Sequence, residues 1–222
     1  MRFIPKNPEP ASFADWKQQA NSNWQPSFTE LRNPEKPELL GSLLKEQGYI
    51  CCYCCQRIGP TNSHIEHLKP QKHCLEAEKI AYENLLASCP GYLEEEIVTD
   101  RLPQEFCGQK KGDWYNPDLM VSPLDPHCAA YFRYTAAGEI LPTTNVHKQT
   151  AAQTTIERLG LNHPKLDRGR RTALEGILDD LESLTNDDLK RLIISYNRPN
   201  ENGQLIPYCA AITHQLQQLL PK

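Results

Sequence analysis

Four cysteines in five residues, Cys51-Cys52-Tyr53-Cys54-Cys55, constrain this chain more than any other feature. The run contains two overlapping C-x-x-C pairs. Two thiolates at that spacing share one tight turn and can reach a single ion at about 2.3 Å. Cys51 with Cys54 is the natural register, and Cys52 with Cys55 competes with it. A tetrahedral structural zinc takes two further ligands from elsewhere. Cys89, just before Pro90-Gly91, and Cys107, just before Gly108, are the best candidates. The link between them is longer than a zinc-ribbon knuckle usually has. It implies an insertion over 90–106, with its acidic Leu93-Glu94-Glu95-Glu96 run in solvent. Cys74, Cys128 and Cys209 read as small buried hydrophobes.

Composition fits a metal-pinned fold. The nine cysteines are odd in number and crowded, which suits reduced thiols better than a secreted disulfide framework. Apolar residues make up only 39%, so a bound metal would supply part of the folding free energy. Eighteen prolines against 11 glycines favour fixed turns and extended connections. A net charge of −4 argues against binding polyanions over the whole surface, while leaving room for a local basic groove. The N-terminal MRFIPKNPEP has no apolar run of the signal-peptide kind, and no stretch nears the roughly 18 apolar residues of a membrane helix. The expected location is the cytoplasm, with no membrane partner.

Three regions differ in texture. Residues 1–48 form an N-terminal helical arm, with a short helix near Ser12 and a second carrying Leu39, Leu40, Leu43 and Leu44 up to Gly48. Residues 49–135 hold eight of the nine cysteines and four of the seven histidines, with poor periodicity. Residues 136–222 look helical, as core support or a docking surface for a partner. Their apolar stripes are Ala152, Ile156 and Leu159; then Leu174, Ile177, Leu178 and Leu181; then Leu189, Leu192 and Ile193 behind a Thr185/Asp188 capping box; and last Ile212, Leu216, Leu219 and Leu220.

Soon after the cysteines comes Ser63-His64-Ile65-Glu66-His67-Leu68-Lys69-Pro70. Read as a strand, alternation puts His64 and Glu66 on one face and Ile65 and His67 on the other. Pro70 ends it. Two imidazoles and a carboxylate within four residues are hard to explain as packing. The spacing is not the H-E-x-x-H of metalloproteases. Phosphodiester hydrolysis needs a base for water, a cation on the developing charge, and positioning. A neutral His suits the base near pH 7. A neighbouring carboxylate can hold a divalent ion. Downstream, Asn84 precedes the apolar run Leu85-Leu86-Ala87-Ser88-Cys89, and Lys110-Lys111 in a Gly-flanked turn suits a phosphate backbone.

Together, C-x-Y-C, H-I-E-H-x-x-P, N-L-L-x-S-C and C-G-x-K-K-G resemble the HNH endonuclease family. Within it the chain is most similar to the PtuB-type HNH subunit of Septu and retron anti-phage systems. Pro123-Leu124-Asp125-Pro126, Tyr131-Phe132-Arg133-Tyr134 and Gly138-Glu139-Ile140 add to the likeness. The resemblance implies an α+β fold: a ββα-metal core over 49–135 with a four-cysteine zinc site, flanked by N- and C-terminal helices. It makes His67 the general base, Glu66 the acidic metal ligand, and Asn84 the brace of the loop carrying the His. Cys51, Cys54, Cys89 and Cys107 become the zinc ligands. The residue after the last cysteine usually completes the metal site as His or Asn, and here it is Gly108. His64, Gln109, Lys110 or Asp113 could stand in, with His64 preferred. Lys69, Lys110 and Lys111 would contact nucleic acid. The implied cofactors are structural Zn²⁺ and catalytic Mg²⁺ or Mn²⁺. The implied partners are an ABC/SMC-like, PtuA-type ATPase subunit, a nucleic-acid substrate with DNA favoured, and in retron versions a reverse transcriptase with its multicopy DNA. Two alternatives compete: a non-catalytic zinc-binding adaptor, and a scaffold subunit for the ATPase whose nuclease centre has decayed.

Overall fold

In a computed structural model, the structure describes residues 1–92, 104–178 and 184–221. The acidic run at 93–96 and Leu181 lie outside these residues. So does the side chain of Leu178.

The N-terminal arm carries helices α1 (Ala11–Gln18) and α2 (Glu35–Glu46). Phe13 and Trp16 bury one side of α1. Leu39, Leu43 and Leu44 recur at helical spacing and are fully buried on α2. Gly48, at φ +62°, ends that helix, and a Cβ there would meet the Leu205 side chain at 2.6 Å.

The middle of the chain is built from short pieces. Strand β1 (His64–His67) pairs antiparallel with β2 (Leu85–Ser88), with His64 opposite Ser88 and His67 opposite Leu85. Between them lies a loop with the one-turn helix α3 (Glu76–Lys79). Helix α4 (Cys107–Lys111) follows. A second hairpin pairs β3 (Phe132–Tyr134) with β4 (Ile140–Pro142). Strand β4 falls in the region expected to be helical. Gly138, at φ +91°, turns the chain there, and Pro142 cannot continue a helix interior.

The C-terminal region is otherwise helical as expected: α5 (Val146–Arg158), α6 (Pro164–Leu178), α7 (Asn186–Tyr196) and α8 (Cys209–Gln218). Ala152, Ile156 and Leu159 are buried. Thr185 and Asp188 form the expected capping box of α7. Leu219 departs from the expected stripe and is half exposed, because α8 ends at Gln218 and the chain has left the helical face.

One hydrophobic cluster joins side chains from Met1 through Leu166 to Ala211, so the arm, the hairpin and the C-terminal helices share a core. A smaller cluster of Leu174, Leu189, Ile212 and Leu216 holds the last helices together. The fold is mixed helix and small sheet around a four-cysteine cluster, in the α+β class that the sequence suggests. Among the described residues no helix is long and apolar enough to cross a membrane.

Candidate active site and metal centre

The cysteine run folds as a tight turn. The Cys55 amide donates to the Cys51 carbonyl at 3.0 Å, and the Cys51 amide donates to the Gln56 carbonyl at 2.9 Å. Buried Gln47 ties this turn to β2. Its Nε2 donates to the carbonyls of Ile50 (3.0 Å) and Ala87 (2.8 Å), and its Oε1 accepts from the Ala87 amide (2.7 Å). Strand β2 then delivers Cys89 beside Cys51, with the Cys89 amide 3.4 Å from Cys51 Sγ. The Phe106 amide donates to the Gly91 carbonyl at 2.8 Å, which brings Cys107 back to Cys89. A Cβ on Gly91 would sit 2.4 Å from the Phe106 carbonyl oxygen, so only glycine allows this approach.

The four sulfurs of Cys51, Cys54, Cys89 and Cys107 are buried and lie within 4.8 Å of one another. A tetrahedron with Zn–S of about 2.3 Å has edges of about 3.8 Å, so a small contraction suffices for this donor set to hold zinc. Cys107 has φ +53°, a left-handed conformation that costs about 1–2 kcal/mol without glycine. Shared sulfur ligation would offset that strain. The competing register is not assembled. Cys55 packs with Ile50, Leu205 and Cys209, and the Cys52 sulfur is not among the four that gather.

Strand alternation places His64 and Glu66 together as expected. His64 Nε2 is 3.5 Å from Glu66 Oε2. The other oxygen, Oε1, accepts from the buried Tyr53 hydroxyl at 3.0 Å and from Lys111 Nζ at 2.8 Å. Burial pushes the Glu66 carboxyl up, but hydrogen bonding to His64 and the Lys111 charge outweigh it and leave the group below the usual carboxylate range. Gly108 lies directly against this carboxylate, since a Cβ there would stand 2.5 Å from Oε2. The longer acid and the missing side chain are therefore matched: Glu66 fills space that any residue larger than glycine at 108 would contest. Of the other candidate ligands, Gln109 donates to Glu105 Oε1 at 3.2 Å, and Asp113 faces Lys72 at 3.6 Å. Among the described residues no third His, Cys, Asp or Glu gathers with His64 and Glu66.

His67 is mostly buried, and its ring packs edge-on against Phe28 with centroids 4.4 Å apart. Its Nε2 lies 2.8 Å from the Lys79 carbonyl. A carbonyl only accepts, so Nε2 carries the proton and Nδ1 keeps the basic lone pair. Burial lowers the imidazole's proton affinity more than the Lys79 carbonyl and Glu66 raise it, so the neutral ring is favoured.

Asn84 closes the loop that supplies that carbonyl. Its Oδ1 accepts from the Lys69 amide at 2.8 Å. Its Nδ2 reaches the Lys69 carbonyl at 3.0 Å, the Glu78 carbonyl at 3.4 Å and Cys74 Sγ at 3.5 Å. Asn84→Ala would leave the Lys69 amide and these acceptors short of a partner. The expected loss is about 1–3 kcal/mol of stability. Urea unfolding measures it, and an unchanged midpoint would show that the loop does not depend on Asn84.

The three lysines expected at phosphate have different settings. Lys111 is buried, and besides Glu66 it donates to the carbonyls of His67 (2.7 Å) and Leu68 (3.3 Å). It is a cation inside the site rather than at an open groove, because the short α4 turns it inward under β1. Lys69 is paired with both oxygens of Glu78 at 2.8 Å. Lys110 is exposed beside a cavity of about 650 Å³ that Glu105 and Glu157 also line. Sequence reasoning missed Tyr53, Gln47 and Phe28. Tyr53 could have been suspected from its place inside the cysteine run. Gln47 and Phe28 carry no local signal, as they act across the fold.

No family model matches the chain. A protein of Vibrio cholerae serotype O1 biovar El Tor, named "Retron Vc95 putative HNH endonuclease", is 32% identical over 134 residues. The match covers 60% of this chain and 61% of that protein, so the chain spans under two thirds of its relative's length.

Proposed function

On the premise that this chain is a member of the HNH endonuclease family, which its retron-named relative supports, we propose that it is a metal-dependent endonuclease that hydrolyses phosphodiester bonds, with DNA as the favoured substrate. The ββα unit is β1, β2 and α4, within a nuclease core over 49–135. The segments 1–48 and 136–222 are its arms, for support or partner docking. The observation that carries this reading is the setting of His67. Its imidazole is fixed through Nε2 by the Lys79 carbonyl, which leaves Nδ1 as the base, one residue from a buried carboxylate.

His67 takes a proton from the attacking water through Nδ1. Asn84 keeps the 69–79 loop in place and so keeps the imidazole aimed. Tyr53 and Lys111 hold Glu66 Oε1, which directs Oε2 toward His64. Oε2 and His64 Nε2 are the donors that would hold Mg²⁺ or Mn²⁺, with water and phosphate oxygens for the remainder of its shell. Such an ion supplies stabilisation of the charge that develops on phosphate. The zinc cysteines hold β2 and α4 against the turn before β1. The relative's name places that protein in a retron, so the proposed setting here is an anti-phage complex. Its partners would be an ABC/SMC-like, PtuA-type ATPase and, in a retron version, a reverse transcriptase with its multicopy DNA.

The zinc-loaded chain, alone and co-expressed with such an ATPase, is to be given supercoiled plasmid with and without Mg²⁺ or Mn²⁺. Nicked or linear product that requires the divalent ion is the expected result. No cleavage in either setting, across both ions and with RNA as well as DNA, would reject the reading.

One observation favours a second reading, a zinc-bearing adaptor or scaffold subunit. The Lys111 ammonium already neutralises Glu66, and His64 is the only other metal-ligand type beside it among the described residues. Calorimetric titration of the zinc-loaded protein with Mn²⁺ separates the two, since an adaptor would show no second metal site.

A further inference from the structure

Four lysines of the motif-bearing region face carboxylates. Lys69 pairs with Glu78, Lys72 with Asp113, Lys79 with Glu76 and Lys111 with Glu66. A phosphate arriving at His67 would have to compete with those acids. Lys36 differs. It lies in the first turn of α2, outside the motif-bearing region, and is exposed. Its Nζ stands 5.6 Å over the Phe28 ring, and that ring packs 4.4 Å from the His67 imidazole. No carboxylate pairs with it among the described residues. The two contacts place the Lys36 ammonium within about 10 Å of the imidazole, roughly three nucleotide rises of ~3.4 Å.

The position does not serve the helix. A cation in the first turn opposes the positive end of the helix dipole, so Lys36 weakens α2 slightly rather than supporting it. Glu35 and Glu38 in the same turn already supply the favourable sign. A lysine that costs its helix a little, carries no ion pair among the described residues and is held on an aromatic ring beside a catalytic imidazole has the setting of a phosphate ligand.

We propose that Lys36, carried on Phe28 beside His67, contacts the backbone phosphates flanking the cleavage point, so that the N-terminal arm forms one wall of the nucleic-acid groove. This rests on the endonuclease reading above. It adds a substrate contact from outside the HNH motif and assigns the 1–48 segment a part in binding. Phe28 acts as a positioning residue that supports both the imidazole and the ammonium.

The test is binding of a labelled DNA duplex by the full chain carrying His67→Ala, so that the probe stays intact, over 50–200 mM salt. Adding Lys36→Ala should lower the slope of log K against log salt by about one, as expected for one lost phosphate contact. The melting temperature should hold or rise, because the unfavourable helix-end charge is gone. Lys36→Arg should keep the slope, and Lys190→Ala, on α7, should leave it unchanged. A Lys36→Ala slope equal to that of its parent would overturn the inference, even where the wild-type chain cleaves plasmid. Failure of the wild-type chain to bind or cleave any nucleic acid would overturn the endonuclease reading and this inference with it.

Discussion

His67→Ala is expected to lower the rate of phosphodiester cleavage by about 10²- to 10⁴-fold while the protein remains folded and zinc-bound. The size follows from the role: a positioned base contributes that range, and the rest of the acceleration comes from charge stabilisation and binding, which the substitution leaves. The ring is clamped on one side by the Lys79 carbonyl at 2.8 Å and on the other by Phe28. Its loss therefore has a structural cost too, about 1–3 kcal/mol for the carbonyl left without its donor. His67→Gln helps to separate the effects, since a side-chain amide can still offer an N–H to that carbonyl but is no base near neutral pH. Both variants should be equally slow if proton abstraction is what the ring does. Circular dichroism and zinc content confirm that the fold persists. A folded His67→Gln chain that cleaves at the wild-type rate would remove His67 from the chemistry.

The sequence makes His64, Glu66 and His67 legible for a simple reason. A strand alternates, so residues two apart share a face, and His64 indeed meets Glu66 while His67 turns to Phe28 and Lys79. The four-cysteine cluster is equally legible, because C-x-x-C geometry is local and the two remaining cysteines sit at turns. The apolar stripes of α2 and α5 are visible in the same way, through their period. What lies beyond reach is set by distant contacts. Nothing near Lys111 says that it will face Glu66 rather than solvent, because the answer depends on α4 packing under β1. The same is true of Gln47, which reaches β2 from the end of α2. Strand β4 was hidden because three residues carry too little periodicity to stand against a largely helical neighbourhood. Gly108 is the most instructive case. Compared with a family pattern it looks like a missing ligand, whereas in space it is the room that Glu66 occupies.

Cys51→Ser is expected to lose the zinc and with it the cooperative unfolding of the hairpin. One zinc per chain is expected for the wild type. Removing one of four thiolates leaves an incomplete site, and metal affinity in such sites is folding free energy, about 10–16 kcal/mol for whole structural zinc sites in small peptides. Total stability of a domain is only about 5–15 kcal/mol, so even a third of that contribution is decisive. The geometry makes Cys51 the most damaging choice: its sulfur also accepts from the Cys89 amide at 3.4 Å and lies 3.6 Å from Ser88 Oγ, so it links the turn to β2 directly. Neighbouring cysteines supply the control. Cys52 and Cys55 are buried but their sulfurs stand outside the four that gather, so Cys52→Ser and Cys55→Ser should keep the zinc and cost only about 1–3 kcal/mol for burying a hydroxyl. Metal analysis after dialysis against a weak chelator, with thermal melts on the same samples, reads both quantities. If Cys51→Ser kept a full zinc while Cys52→Ser released it, the ligand register would be the other one.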